Sequence, residues 1–316
     1  MKKILALFTT GIILSAGAFA QDDLLGELKL EDSAQVKQNL TIATFKATRI
    51  INMNSTEMTG VGNLQFMVIH HFGQLWDKNE KGNNFARLFG FNGNFASTYI
   101  SFDYSPTHWL NLGAAFAGNS NLEGTAKFKL MRQQTGIHNY PVSIAWLSNV
   151  HFNAAKSVAA PNGLEWNKFA YLHQLMIARK FTDKFSLQLT PSMVHYNIIS
   201  YGYGNKHDVF SIGLGGRYKI SDKKALTFEF ARQLNMYENV IDKTGEIVNY
   251  SPNLISIGYD WDTGGHIFQF FISNSSNASN LFQLSTNPVK DNFGQFSLGF
   301  NLNRSYSVKK TVKTTH

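Results

Sequence analysis

Seven charged residues fall where an extended chain would set them along one wall. Lys127 and Lys129 alternate with Ala126, Phe128 and Leu130, and Arg217 and Lys219 alternate with Tyr218 and Ile220. Asp103, Glu229 and Asp260 each stand between two apolar neighbours, as in Phe102-Asp103-Tyr104 and Phe228-Glu229-Phe230. Side chains of a strand point alternately to its two faces, so these charges share a face with small and polar residues. Two chemistries fit such a wall. It can line a water-filled lumen and set which ions pass, or its charges can pair and fill a narrow barrel. The residue types alone leave both open.

Other reactive groups lack workable spacing. His70 and His71 are adjacent and face opposite ways on a strand, and no His-Glu-x-x-His stretch occurs, so no metal is expected. Ser192 with His195 and Ser148 with His151 stand three apart, which places their side chains on opposite faces. No Gly-x-Ser-x-Gly elbow is present. Gly213-Leu214-Gly215-Gly216 lacks the Lys-Ser/Thr pair of a phosphate loop and lies mid-strand, where glycine eases curvature. The chain has no cysteine, hence no disulfide or thiolate. The expectation is a non-enzymatic protein without a cofactor.

The positioning elements are strands. Alternation is clearest in Asp208 to Gln233, where Phe210, Ile212 and Leu214, then Leu226, Phe228 and Phe230, face one way and polar residues the other. Twelve strands are predicted, near 61–72, 94–104, 107–118, 121–133, 139–152, 168–181, 184–197, 207–220, 225–236, 253–262, 265–275 and 294–304. Short turns such as Thr182-Asp183-Lys184 and Thr263-Gly264-Gly265 alternate with longer Asn- and Gly-rich loops at 73–93, 153–167, 198–206, 237–252 and 276–293. Short turns at one end and long loops at the other mark a transmembrane antiparallel up-and-down β-barrel. Trp109, Phe181, Phe185 and Trp261 by the turns, and Trp166, Tyr196, Tyr201 and Tyr203 by the loops, suit interfacial girdles.

Lys2-Lys3, the apolar run from Ile4 to Leu14 and Ala18-Phe19-Ala20 read as a cleaved signal peptide over 1–20. Residues 59–306 would form the barrel and 307–316 a basic tail. An even strand number leaves Thr41–Ile51 out of the wall, so residues 21–58 are either periplasmic or a plug, with Lys46 and Arg49 as the plug's cations.

Bulk composition agrees. The formal charge of +8 falls to +6 without Lys2 and Lys3, and to +3 without Lys309, Lys310 and Lys313, leaving no clustered basic face for nucleic acid. Charged residues make up only 16%, against roughly 25% in soluble domains, and aromatic residues 14%. Outer-membrane lipid and small solutes are the expected partners, in the outer membrane of a Gram-negative-type bacterium. A filled barrel whose long loops bind a partner is the alternative.

Ala43-Thr44-Phe45-Lys46-Ala47-Thr48-Arg49-Ile50-Ile51-Asn52, His71-Phe72-Gly73, Leu88-Phe89-Gly90, Lys127 to Gln133, Ile177 to Phe181, Gly213 to Lys219 and Thr263 to Gln269 are similar to segments of one family. That family is domain of unknown function 5777, a group of exported β-barrel proteins. The resemblance spans Thr41 to Arg304. Ala47 stands where a glycine is expected and Asn92 where an acid is expected. The resemblance implies an outer-membrane barrel, with no established activity and no catalytic residues to carry over.

Overall fold

The computed structural model describes residues 38–74, 97–118, 120–155, 166–198, 206–241, 247–286 and 296–308. Twelve antiparallel strands close on themselves. They are β1 (Asn63–Gln74), β2 (Ser97–Tyr104), β3 (Leu110–Phe116), β4 (Asn121–Met131), β5 (Ser143–Asn153) and β6 (Phe169–Lys180). Then follow β7 (Phe185–Tyr196), β8 (Asp208–Ser221), β9 (Lys224–Gln233), β10 (Asn253–Asp262), β11 (Ile267–Ser273) and β12 (Ser297–Ser307). Each strand pairs with its neighbours in the chain, and β12 closes on β1 with Leu302 opposite Val68 and Arg304 opposite Phe66. Closure removes the two free edges, so every ladder group can be paired, as a chain in hydrocarbon requires. No helix among the described residues is long and apolar enough to cross a membrane.

Most large apolar residues of the wall face outward, although Met67, Ile69, Leu147, Leu172 and Met176 point inward and are buried. Phe102 is 50% exposed and Ile257 65%, while their inward neighbours Ser101 and Ser256 are buried. A water-soluble sandwich would reverse this, so the outer wall is built for lipid. Aromatic pairs brace it near the turns, with Trp109 on Phe128 and Trp261 on Phe268.

All twelve predicted strands are present, with ends moved by a few residues. Two loops hold more structure than expected. The 237–252 loop contains a hairpin, Tyr237–Ile241 against Ile247–Tyr250, and the 276–293 loop contains a helix, α1 (Asn280–Ser285). The leader, the loop 73–93 beyond Gln74, Tyr201, Tyr203 and the tail beyond Val308 lie outside the described residues. The chain divides into two units, residues 1–39 with 135–139, and residues 40–134 with 140–316. In the first, described residues form a turn in which Gly136 N–H donates to Asn139 Oδ1.

Candidate functional site: an occupied lumen

Residues 44–59 are not part of the wall; most are buried, and they bond to side chains on the inward face. They fold back as a tight hairpin. Arg49 pairs with Asn54, Ile50 N–H donates to Met53 O, and Ser55 N–H donates to Thr48 O. Ile51-Asn52 is the tip. A two-residue turn leaves N–H groups unpaired at its apex, and here Glu229 collects them. Its carboxylate accepts Ile51 N–H at 2.8 Å, Asn52 N–H at 3.0 Å and Met53 N–H at 2.7 Å. Lys127 does the converse at the open end, donating to Ser55 O and Glu57 O at 2.9 Å and Thr48 O at 3.3 Å. Glu229 takes the N–H groups of the hairpin's apex and Lys127 takes carbonyls at its open end, in the stronger, charge-assisted kind of hydrogen bond.

Amides complete the fit. Gln188 accepts Thr56 N–H and donates to Asn54 O, Gln269 donates to Ile50 O, and Asn301 donates to Ile51 O. The apolar tip has its own socket. A Cβ on Gly213 would overlap Met53 Cε, one on Gly215 would overlap Ile50 Cδ1, and one on Gly258 would meet Ile51 Cδ1 at 3.1 Å. Gly213, Gly215 and Gly216 were expected to ease curvature. Gly213 and Gly215 also leave room for the hairpin, and Gly216 leaves room for the Phe228 ring. Nothing in the sequence pairs Gly215 with Ile50, because the two are far apart in the chain.

The candidate charges divide into groups. Lys127 and Glu229 hold the hairpin directly. Arg217 Nε faces Asp260 Oδ2 at 3.7 Å, and Gln269 also donates to Asp260. Asp103 accepts from Ser101, and Lys129 is half-buried within electrostatic reach of Glu57. Lys219 does not join the others. Its ammonium pairs with Asp222 of the following turn at 2.6 Å, which holds that carboxyl below the usual range. Lys46 pairs with Asp262 at 2.7 Å. Arg49 is buried, donates to Asn52 O, and stacks 4.7 Å over the Tyr99 ring.

A second body enters from the long-loop end. On α1 and the residue before it, Ser279 hydroxyl donates to Glu123, Gln283 donates to Asn52 Oδ1, and Ser285 meets Tyr196 and Tyr237. Burial pushes the Tyr237 hydroxyl far above its ordinary range. Sequence reasoning passed over Glu123, Gln188, Gln269 and Gln283. Buried, inward glutamine at strand spacing was the available signal for the middle two.

A family model described as a membrane bound beta barrel domain, domain of unknown function 5777, matches residues 45–306. The chain belongs to this family. The family domain thus includes the lumenal hairpin as well as the wall. No curated protein matches this family member in sequence. Among solved structures, the KdgM porin in complex with disordered oligogalacturonate is similar at 8% identity and a TM-score of 0.43, over 78% of this chain and 98% of that one. The P. putida toluene transporter TodX gives 8% and 0.34, over 78% and 90%. OmpT of Vibrio cholerae gives 10% and 0.34, over 79% and 100%.

Proposed function

We propose that this chain is an outer-membrane barrel for the passage of small solutes, kept shut by its own 44–59 hairpin. The observation that carries the reading is how the hairpin is held. Its backbone is bound to the wall by side chains such as Glu229, Lys127 and Gln188, and not by strand ladders. None of the barrel's strand pairings involves residues 44–59, so the wall's ladders do not depend on the hairpin. Such a segment can leave without unfolding the barrel.

Withdrawal is costly, which makes the shut state the resting one. Six charge-assisted bonds to Glu229 and Lys127, at about 1.5–3 kcal/mol each and not additive, outweigh thermal energy many-fold. Twelve strands lie between the roughly eight whose side chains fill the bore and the 16–18 of open channels. What the hairpin leaves behind is a mixed wall: Ser, Thr, Asn, Gln and charged residues suited to water and solutes, with apolar patches at Met67, Ile69, Leu147, Leu172 and Met176. Its short-turn end, where Lys46 meets Asp262, would face the periplasm.

The test is uptake by liposomes carrying the purified chain. The intact chain should admit small sugars and amino acids slowly, and a chain lacking residues 44–59 quickly. Tight liposomes with both would favour the second reading, a filled barrel whose loops bind a partner. The observation behind that reading is α1, which also occupies the bore.

A further inference from the structure

The hairpin carries one side chain into a site that belongs to the wall. Arg49 Cζ lies 4.7 Å over the ring of Tyr99 on β2. It is close enough to Asp103 on β2 and Glu123 on β4 for its charge to act on both carboxylates. Tyr99 hydroxyl and Asn149 Nδ2 in turn donate to Glu123, at 3.2 and 3.0 Å. A cavity of about 20 Å³ remains beside the guanidinium, lined by Tyr99, Asp103, Glu123, Asn149 and Asn280 among others. That is room for one water-sized group. Asn149 and Asn280 are both buried, and the Oδ1 of each lacks a hydrogen-bond partner.

An aromatic face, two carboxylates and two unpaired amide oxygens are what a flat organic cation asks for. The wall supplies all of them except Asn280, which comes from α1. Only the cation comes from the hairpin. If the hairpin leaves, Arg49 leaves with it, and Lys127 stays. Two carboxylates then face the one ammonium of Lys127, with the His151 ring 3.5 Å from Glu123 as the other ionisable neighbour on the wall.

We propose that the Tyr99–Glu123 wall is a binding site for a small solute bearing a guanidinium or ammonium group, with Arg49 as its tethered stand-in while the barrel is shut. The proposal rests on the gated reading above and names the solute class that the opened lumen would hold. A solute of this class would compete with Arg49 for the same partners, so its binding and the hairpin's seating oppose each other.

The probe is methylguanidinium chloride, titrated calorimetrically into full-length R49A and into the unaltered chain in detergent, with sodium chloride as control. R49A should give saturable heat, and the unaltered chain at least tenfold weaker binding, because Arg49 holds the site. Adding Y99L, or E123Q if Y99L fails to fold, should weaken binding to R49A at least tenfold. Equal binding to R49A and the unaltered chain, no binding to R49A, or indifference to both wall substitutions would overturn the proposal. This readout needs no passage of solute. A 44–59 deletion that fails to leak while R49A still binds would therefore defeat only the passage reading.

Discussion

Gln283 Nε2 donates to Asn52 Oδ1 at 3.0 Å, so the helix entering from one end of the barrel touches the tip of the hairpin entering from the other. The two bodies support each other through this amide pair. Gln283→Ala should loosen the hairpin without freeing it. One neutral hydrogen bond is worth about 1 kcal/mol, or roughly a fivefold rise in the population of the opened hairpin. Hydrogen exchange over residues 44–59 measures this, and unchanged protection would mean the bodies are independent.

Glu229 has a larger part. Replacing it with alanine leaves Ile51, Asn52 and Met53 N–H groups without their acceptor in a buried place. The expected loss is about 3 kcal/mol or more in hairpin seating, and Glu229→Gln, which keeps one carbonyl oxygen, should fall between. Limited proteolysis within 44–59 should be slow in the intact chain, faster in E229Q and fastest in E229A. Equal rates in all three would remove Glu229 from the latch.

Gly215 and Ile50 make a reciprocal test. Gly215→Val places a side chain where Ile50 Cδ1 now lies, yet valine suits the strand itself. The barrel should melt no lower, while hairpin protection is lost. Adding Ile50→Ala should restore much of that protection. If G215V leaves the hairpin protected, the glycines are not its socket.

The orientation of the wall is tested at Ile257, outward and midway along β10. Ile257→Arg should cost about 2–4 kcal/mol in chemical unfolding from lipid vesicles, the usual penalty of a charge facing the bilayer midplane. An unchanged unfolding free energy would place Ile257 outside the hydrocarbon.

The wall was readable in the sequence because its signal is local. Period-two alternation in Phe210-Ser211-Ile212-Gly213-Leu214 and turns such as Thr182-Asp183-Lys184 depend only on neighbouring residues. The lumen was less readable because its contacts join residues far apart. Glu229 could be assigned to the inner face, but that it gathers three N–H groups from residues 51–53 needs the closed barrel. Lys219 has the right alternation, yet it sits one residue before the turn's approach and finds Asp222 first. Helix α1 has only six residues, too short for a helical period to show.

Single-channel recording in planar bilayers tests most directly whether the hairpin is what shuts the bore. With the intact chain the expected trace is quiet, broken by rare brief openings, and with residues 44–59 removed it shows stable steps of one size. A folded deletion chain as silent as the intact one, or an intact chain already conducting in full steps, would contradict a barrel closed by its own N-terminal segment.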